Sequence, residues 1–333
     1  MSYITRHMLV LGIETTCDET ACAVVRDGKE ILSNVVFSQI DIHQEFGGVV
    51  PEIACRRHIE ALIPVIDQAL KQAQCTLEEI DLFAVAYGPG LIGALLIGLN
   101  AAKTLAICTQ KPYIGVNHVE AHLYAAMMSH STFPFPCLGI VLSGGHTNLI
   151  YMHEIGRYEP IGQTVDDAIG EAFDKAAKTM GLPYPGGPQI EKLAEIGNPQ
   201  HYPLKAGTVK GRPFDFSFSG LKTGVLYTFN STSDKSNLAA SFQQAAFHDV
   251  LKKTLLAAET YNCKTLVFGG GVTNNKALRR LFAEKAPHLQ QLWPTGGLSL
   301  DNAAMIAGLG YHKFVIKKAG DSLDLEAAAT IPF

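Results

Sequence analysis

Two histidines four residues apart, in His118-Val119-Glu120-Ala121-His122, fall on one face of a predicted helix, the spacing at which both imidazoles reach a single metal ion. A helix carrying two ordinary histidines shows the same pattern. The arrangement differs from the H-E-x-x-H of zinc proteases, because Glu120 follows His118 by two residues and so lies about 200° round the helix, away from a metal-binding face. A third ligand must come from elsewhere in the chain. Asp301, in Ser299-Leu300-Asp301-Asn302-Ala303-Ala304-Met305, stands just before a helical run and is the candidate acid, with a plain helix N-cap as the competing reading.

Three turns rich in glycine or hydroxyl residues follow strand-like runs: Gly12-Ile13-Glu14-Thr15-Thr16, Ser143-Gly144-Gly145-His146-Thr147 and Gly269-Gly270-Gly271-Val272-Thr273-Asn274-Asn275. Glycine lets backbone approach a phosphate or nucleoside, and the third turn opens a helix whose first N–H groups favour an anion. One such turn signals only a tight bend; three together point to a nucleotide site. Asp167, Glu171 and Asp174 follow helical spacing, ordinarily a solvated face, although Asp174 in an alanine-rich helix suits a hydroxyl-binding carboxylate. Pro185-Gly186-Gly187-Pro188-Gln189-Ile190-Glu191 reads as a turn into a helix, with Gly187 permitting close approach and Glu191 one turn inside. Asp18 and Glu19 lie just after the first turn, where capping of the next segment is the plain reading.

The elements that must carry these residues are legible as a repeated pattern. Residues 8–13, 21–26 and 31–37 are β-rich runs, the last two joined by Asp27-Gly28-Lys29, a hairpin turn. A long helix runs from Pro51 to about Ala73, with Pro64 inside it, and a strand at 82–87 leads through Gly88-Pro89-Gly90 into a second helix. The same order recurs with strands at 137–142, 147–152 and 158–162, helices at 168–180 and 238–261, a strand at 266–269 and a helix at 275–284. Two copies of one unit imply two similar lobes. Residues 201–223 lack a period and read as an inserted loop.

Composition bounds the rest. A chain of 333 residues with 47% hydrophobic and 17% charged residues has material for about two cores and is not disordered. A net charge of -4 excludes binding nucleic acid by an overall basic field, leaving local clusters: Arg56-Arg57-His58, Lys205 with Lys210 and Arg212, and Lys313 with Lys317 and Lys318. Seven scattered cysteines without a Cys-x-x-Cys pair fit a reducing compartment. No secretory pattern opens the chain, and the most apolar stretch, 91–108, is interrupted by Asn100 and Lys103 and falls short of a membrane span, so the expectation is a cytoplasmic protein without membrane contact.

These motifs together resemble the tRNA N6-adenosine threonylcarbamoyltransferase (TsaD) family, once described as O-sialoglycoprotein endopeptidases. The resemblance rests on Gly12-Ile13-Glu14-Thr15-Thr16-Cys17-Asp18-Glu19-Thr20, the paired histidines, Leu142-Ser143-Gly144-Gly145-His146-Thr147, Gly170-Glu171-Ala172-Phe173-Asp174-Lys175, Tyr184-Pro185-Gly186-Gly187-Pro188, Phe216-Ser217-Phe218-Ser219-Gly220-Leu221-Lys222-Thr223 and Asp301-Asn302-Ala303-Ala304-Met305. It implies an α/β fold of two ribonuclease-H-like lobes, of the actin, sugar-kinase and heat-shock ATPase type, around a nucleotide cleft. The expected division is 1–116 plus 310–333 for one lobe and 117–309 for a second lobe carrying the metal ligands and most nucleotide contacts.

The resemblance also implies the reaction: an acyltransferase moves a threonylcarbamoyl group from threonylcarbamoyl-AMP to N6 of adenosine 37 in tRNAs reading ANN codons. By position, His118, His122 and Asp301 match the ligands of one divalent metal, Fe2+ or Zn2+. Val141, Leu142, Ser143, Gly144, Gly145, Asp174, Gly187, Glu191 and Asn275 match substrate-binding positions, with Asp174 and Glu191 expected at the ribose hydroxyls and Asn275 at the adenine. Implied partners are tRNA, threonylcarbamoyl-AMP or ATP, and accessory subunits of the TsaB and TsaE type. The exocyclic amine of adenosine is a poor nucleophile, so a Lewis acid and an oxyanion-stabilising environment suit direct transfer. The resemblance makes Asp18 and Glu19 candidates for positioning that incoming amine or a water-bound proton. The alternatives are a metalloendopeptidase and a noncatalytic ATP-dependent scaffold.

Overall fold

The computed structural model describes residues 7–131, 133–295 and 297–331. Contacts divide the chain into two units, the first made of Met1–Asp41, Val49–Met128 and Leu300–Phe333, the second of Ile42–Gly48 and Ser129–Ser299, with the short helix α1 (Ile40–Phe46) containing one boundary.

Unit 1 is built on strands β1 (Leu9–Glu14), β2 (Glu19–Arg26), β3 (Glu30–Ser38), β4 (Leu82–Gly88) and β5 (Tyr113–Asn117), in the order β3-β2-β1-β4-β5. The first three strands are antiparallel, while β4 runs parallel to β1 and to β5. Asp27 and Gly28 both take positive φ, 51° and 74°, and the Lys29 N–H donates to the Arg26 carbonyl at 3.1 Å, the two-residue turn whose twist matches the β2–β3 hairpin.

Helices α2 (Pro51–Ala73), α3 (Ile92–Thr109), α4 (His118–Met128) and α10 (Ala303–Lys317) cover this sheet. Helix α2 starts at Pro51, as its preset φ favours. Gly12 is the residue that seats α10: a Cβ there would lie 2.4 Å from the Ala303 carbonyl oxygen, so no other side chain fits. The start of α10, and Asp301 just before it, are thereby set beside β1.

Among the described residues, α3 has the length and apolar composition of a membrane span by those two measures alone, despite Asn100 and Lys103, which the sequence reading counted against it. In the fold, its Ala94, Leu95, Gly98, Leu99, Ala102 and Ala106 are buried within unit 1, and Lys103 Nζ donates to the Leu325 carbonyl at 2.6 Å.

Unit 2 repeats the plan with β6 (Cys137–Leu142), β7 (Thr147–Glu154), β8 (Arg157–Gln163), β9 (Thr265–Gly269) and β10 (Gln290–Leu292), in the order β10-β9-β6-β7-β8. Both sheets therefore have the ribonuclease-H-like arrangement of three antiparallel strands extended by two parallel ones. Helices α5 (Ile169–Thr179), α6 (Gly186–Ala194), α7 (Ser219–Phe229), α8 (Lys235–Thr260) and α9 (Lys276–Lys285) complete the unit around Phe173, Phe242, Phe247 and Phe268.

Two expectations are corrected here. The boundaries drawn at 116/117 and 309/310 would separate His118 and His122, and Asp301, from the first lobe, but α4 follows β5 without a break and α10 packs on β1, β2, β4 and α4, so all three belong to unit 1. The segment 201–223 is not wholly loop: Phe216 pairs with the end of β8 through its N–H to Gln163 and its carbonyl to the Val165 N–H, each at 2.9 Å, and α7 begins at Ser219. Burial of Phe216 and Phe218 holds this segment in place without a period that sequence could show.

Candidate functional site

Strand β5 ends at Asn117, whose Oδ1 accepts from the N–H groups of Val119 at 2.9 Å and Glu120 at 3.2 Å; this starts α4 at His118. His118 and His122 then stand on one face with ring centroids 4.6 Å apart. Asn302, not Asp301, caps α10, accepting from the Met305 N–H at 3.1 Å. Asp301 is thus no N-cap, and its carboxylate faces the histidines: Oδ1 lies 3.2 Å from His122 Nε2 and 3.6 Å from His118 Nε2. One donor atom from each of the three residues lies within 4.8 Å of the others.

The donor chemistry fits a metal ion. Among the described residues, neither ring nitrogen of the fully buried His122 makes a hydrogen bond, a costly state unless a ligand satisfies one of them. Two imidazoles and a carboxylate suit zinc or iron. Asp301 keeps 22% of its side chain exposed, so the trio is reachable from solvent.

Glu14 was quoted in the sequence only as part of a turn. It is fully buried at the end of β1, where Oε1 accepts from the Thr16 N–H at 2.6 Å and Oε2 meets His118 Nδ1 at 2.9 Å. Burial alone would lower the His118 pKa, but the charges of Glu14 and Asp301 and the Glu14 hydrogen bond outweigh it and push it up to about 9. The detectable signal was an acid closing an otherwise apolar strand. Glu120 stays outside the trio; its carboxylate lies 3.6 Å from Lys313 Nζ, which removes it as a protease-type base.

Asp18 is buried and Glu19 partly buried on the turn into β2. Burial, the charges of Asp301 and Asp18, and a hydrogen bond with Asp18 hold the Glu19 carboxyl well above its usual range, against the opposing Ser38 hydroxyl at 3.2 Å. Glu19 therefore stands near Asp301, with Asp18 hydrogen-bonded to it. His58, expected in a surface basic cluster, is fully buried instead and bridges Thr20 Oγ1 at 2.8 Å and the Cys17 carbonyl at 3.0 Å, because it lies on the core face of α2.

In unit 2 the turn after β6 is closed by Ser143, which donates its N–H to the His146 carbonyl at 2.9 Å and accepts the His146 N–H on Oγ at 3.1 Å. Val141 and Leu142 are fully buried, so their side chains belong to the core. Gly170 approaches so closely that a Cβ would lie 2.6 Å from the Ser143 carbonyl oxygen, and one on Gly270 would lie 2.4 Å from that of Leu142. The turn after β6, the start of α5 and the turn after β9 therefore pack together.

Asp174 Oδ1 accepts from the Gly186 N–H at 2.7 Å, and Glu191 Oε1 from the Lys276 N–H at 2.7 Å, tying the Gly-Gly-Pro turn to α5 and α6 to α9. Asn275 caps α9 through Ala277 and Leu278 and donates Nδ2 to Gln243 Oε1 at 2.8 Å. The sequence did not disclose these scaffold bonds. By contrast, a Cβ on Gly144, Gly145 or Gly187 would meet nothing within 4 Å, leaving backbone faces that a flat ligand can approach.

The expected acidic stripe is divided by its partners. Asp167 precedes α5 and pairs with Lys175 at 2.6 Å and Lys222 at 3.1 Å, while Glu171 pairs with Lys175 at 2.7 Å. Asp166, not singled out in the sequence, accepts from the hydroxyls of Ser217 at 2.6 Å and Ser219 at 2.7 Å and from the N–H groups of Phe218 and Ser219. It fastens the Phe216-Ser217-Phe218-Ser219-Gly220 segment.

The family model for tRNA N6-adenosine threonylcarbamoyltransferase matches residues 30–308. The protein of that name from Protochlamydia amoebophila is 64% identical over 337 residues, covering 98% of each chain. The one from Bacillus subtilis is 50% identical over 318 residues, covering 93% of this chain and 91% of that protein. Among solved structures, full-length HypF in its phosphate- and nucleotide-bound form is similar in fold, with a TM-score of 0.63 at 14% identity, over 95% of this chain and 57% of HypF. Component A of the (R)-2-hydroxyglutaryl-CoA dehydratase of Acidaminococcus fermentans has a TM-score of 0.55 at 16% identity, over 92% of this chain and 99% of that one.

Proposed function

Because this chain belongs to the tRNA N6-adenosine threonylcarbamoyltransferase family, we propose that it transfers a threonylcarbamoyl group from threonylcarbamoyl-AMP to N6 of adenosine 37 in tRNAs reading ANN codons. The observation that carries the reading is near full-length identity to proteins of that name, joined to the convergence of His118, His122 and Asp301.

His118 Nε2, one ring nitrogen of His122 and Asp301 Oδ1 would hold one divalent ion, Fe2+ or Zn2+, which when bound supplies Lewis acidity toward the acyl oxygen. Asp18 and Glu19, on the turn close to Asp301, are suited to orient the incoming amine and take up its proton. Gly144, Gly145 and Gly187 offer open backbone to the adenylate, Ser143 closes the turn that presents the first two, and Asp174, Glu191 and Asn275 hold that region in shape. Direct transfer needs no nucleophilic cysteine or serine.

The tRNA would contact exposed cations. Several basic residues are already paired: Arg57 with Glu60 at 2.7 Å, Arg212 with Asp215, Lys313 with Glu120 and Lys317 with Asp321. Lys205, Lys210, Arg56 and Lys318 are exposed and remain the best candidates. Accessory subunits of the TsaB and TsaE type and a cytoplasmic setting complete the reading.

Purified protein incubated with tRNA, threonine, bicarbonate, ATP, the adenylate-forming enzyme and those accessory subunits tests it. Threonylcarbamoyladenosine detected by mass spectrometry only when this chain is present is the expected result. Its absence in a mixture that a known family member completes would overturn the reading.

A further inference from the structure

The two metal-ligating histidines are not equivalent. His122 has no hydrogen-bond partner on either ring nitrogen among the described residues, whereas His118 is gripped from the side of Nδ1 by Glu14 Oε2 at 2.9 Å. We propose that Glu14 is a positioning residue, whose buried carboxylate fixes the His118 ring with its hydrogen on Nδ1 and so presents a bare Nε2 toward Asp301 for a divalent cation.

Two oxygens, Glu14 Oε2 at 2.9 Å and the Thr16 hydroxyl at 3.3 Å, face Nδ1 and both can accept, so the geometry favours Nδ1 as the nitrogen that carries the hydrogen. The carboxylate cannot turn away, because Oε1 is held by the Thr16 N–H at 2.6 Å. Its place is set by rigid elements. Glu14 ends the central strand β1, and the next residue, Thr15, donates its hydroxyl to the Ala94 carbonyl of α3 at 2.9 Å. Glu14 is not itself a ligand: both oxygens are engaged, and the ring stands between it and Asp301. A carboxylate behind a ligating imidazole also makes that imidazole a stronger donor.

The inference rests on the metal reading above, and Glu14→Gln tests it separately. An amide cannot serve both neighbours. Either its oxygen faces His118 and its NH2 opposes the Thr16 N–H, or its NH2 faces His118 Nδ1 and drives the ring hydrogen to Nε2, where the cation must bind.

The full chain, stripped with a chelator, is titrated with Zn2+ against a chromophoric competitor and with Co2+ by absorption, for wild type, Glu14→Gln and His118→Ala. One equivalent in the wild type, affinity about 10–100-fold weaker in Glu14→Gln with an altered Co2+ spectrum, and loss in His118→Ala are expected. Wild-type affinity in Glu14→Gln, within about twofold, overturns the positioning role while leaving the metal site standing. No stoichiometric binding by the wild type, or full binding by His118→Ala, overturns the metal reading and this inference with it. Should Glu14→Gln not fold, nitrogen-15 NMR of the histidines in the metal-free wild type, recorded above about pH 10 where the His118 ring is neutral, decides: hydrogen on Nδ1 supports the proposal, and hydrogen on Nε2 overturns it.

Discussion

His122 Nε2 lies 3.2 Å from Asp301 Oδ1, yet the geometry is a contact between a buried ring and a half-buried carboxylate and not a hydrogen bond. Such a pair is held in place by the elements behind it, α4 and the start of α10. Asp301→Ala is therefore expected to abolish stoichiometric metal binding and threonylcarbamoyl transfer while the metal-free protein melts within a few degrees of wild type. Elemental analysis and calorimetry check both halves.

Glycines at the turns of unit 2 divide into open and packed positions. Gly187→Ala should leave stability unchanged or raise it by up to about 1 kcal/mol, since alanine favours helix and meets no neighbour, while weakening adenylate binding. Gly170→Ala drives a methyl into the Ser143 carbonyl and should cost about 1–3 kcal/mol. Thermal unfolding of both variants, with nucleotide titration of the first, distinguishes ligand approach from packing.

Asn275 does two jobs. Asn275→Ala removes a cap and should lower stability by about 0.5–2 kcal/mol, so any loss of substrate binding is mixed with loosening of α9. Asn275→Asp keeps the capping acceptor and should recover most of the stability without the donor to Gln243. Denaturant melts of the two variants check this order.

Burial alone would raise the Asp166 pKa, but hydrogen bonds from Ser217, Ser219 and two backbone N–H groups outweigh it and hold the carboxyl below its usual value. A depressed acid contributes stability that is present above about pH 4, its unfolded value, and is lost as pH falls through its lower folded value. Proteolysis within 205–218 should therefore accelerate as the solution is acidified below that range. Asp166→Asn should cleave readily at neutral pH and lose the acid dependence.

Lys210→Glu is expected to weaken tRNA binding and reduce the salt slope by about 1, whereas Arg212→Glu acts mainly by losing its pair with Asp215. Filter binding across a salt series separates a phosphate contact from a structural pair.

Local chemistry made part of this molecule readable. The Asp27-Gly28 turn, Pro51 at a helix start and the His118/His122 spacing each act within a few residues, and each stands in the fold where its chemistry puts it. Strand β5 was missed because its five residues form a short apolar run directly before a helix, with no alternation to mark it. Glu14 and Asp166 were missed for a different reason: their partners lie far along the chain, at His118 and at Ser217 and Ser219, and pattern carries no such pairing. The Asp301 cap alternative failed by one residue, since Asn302 takes that place.

Unit 1 is interrupted in sequence by the whole of 129–299, and α10 returns to cover β1 only afterwards. A chain still leaving the ribosome thus displays both histidines long before Asp301 is made, with the site for α10 on its first sheet uncovered. The segment emerging second can complete its own sheet earlier, so the usual N-terminal-first order of domain folding is inverted. Bringing Asp301 up to the two histidines is thereby a late event of biosynthesis, one that waits until the whole of 129–299 has been made.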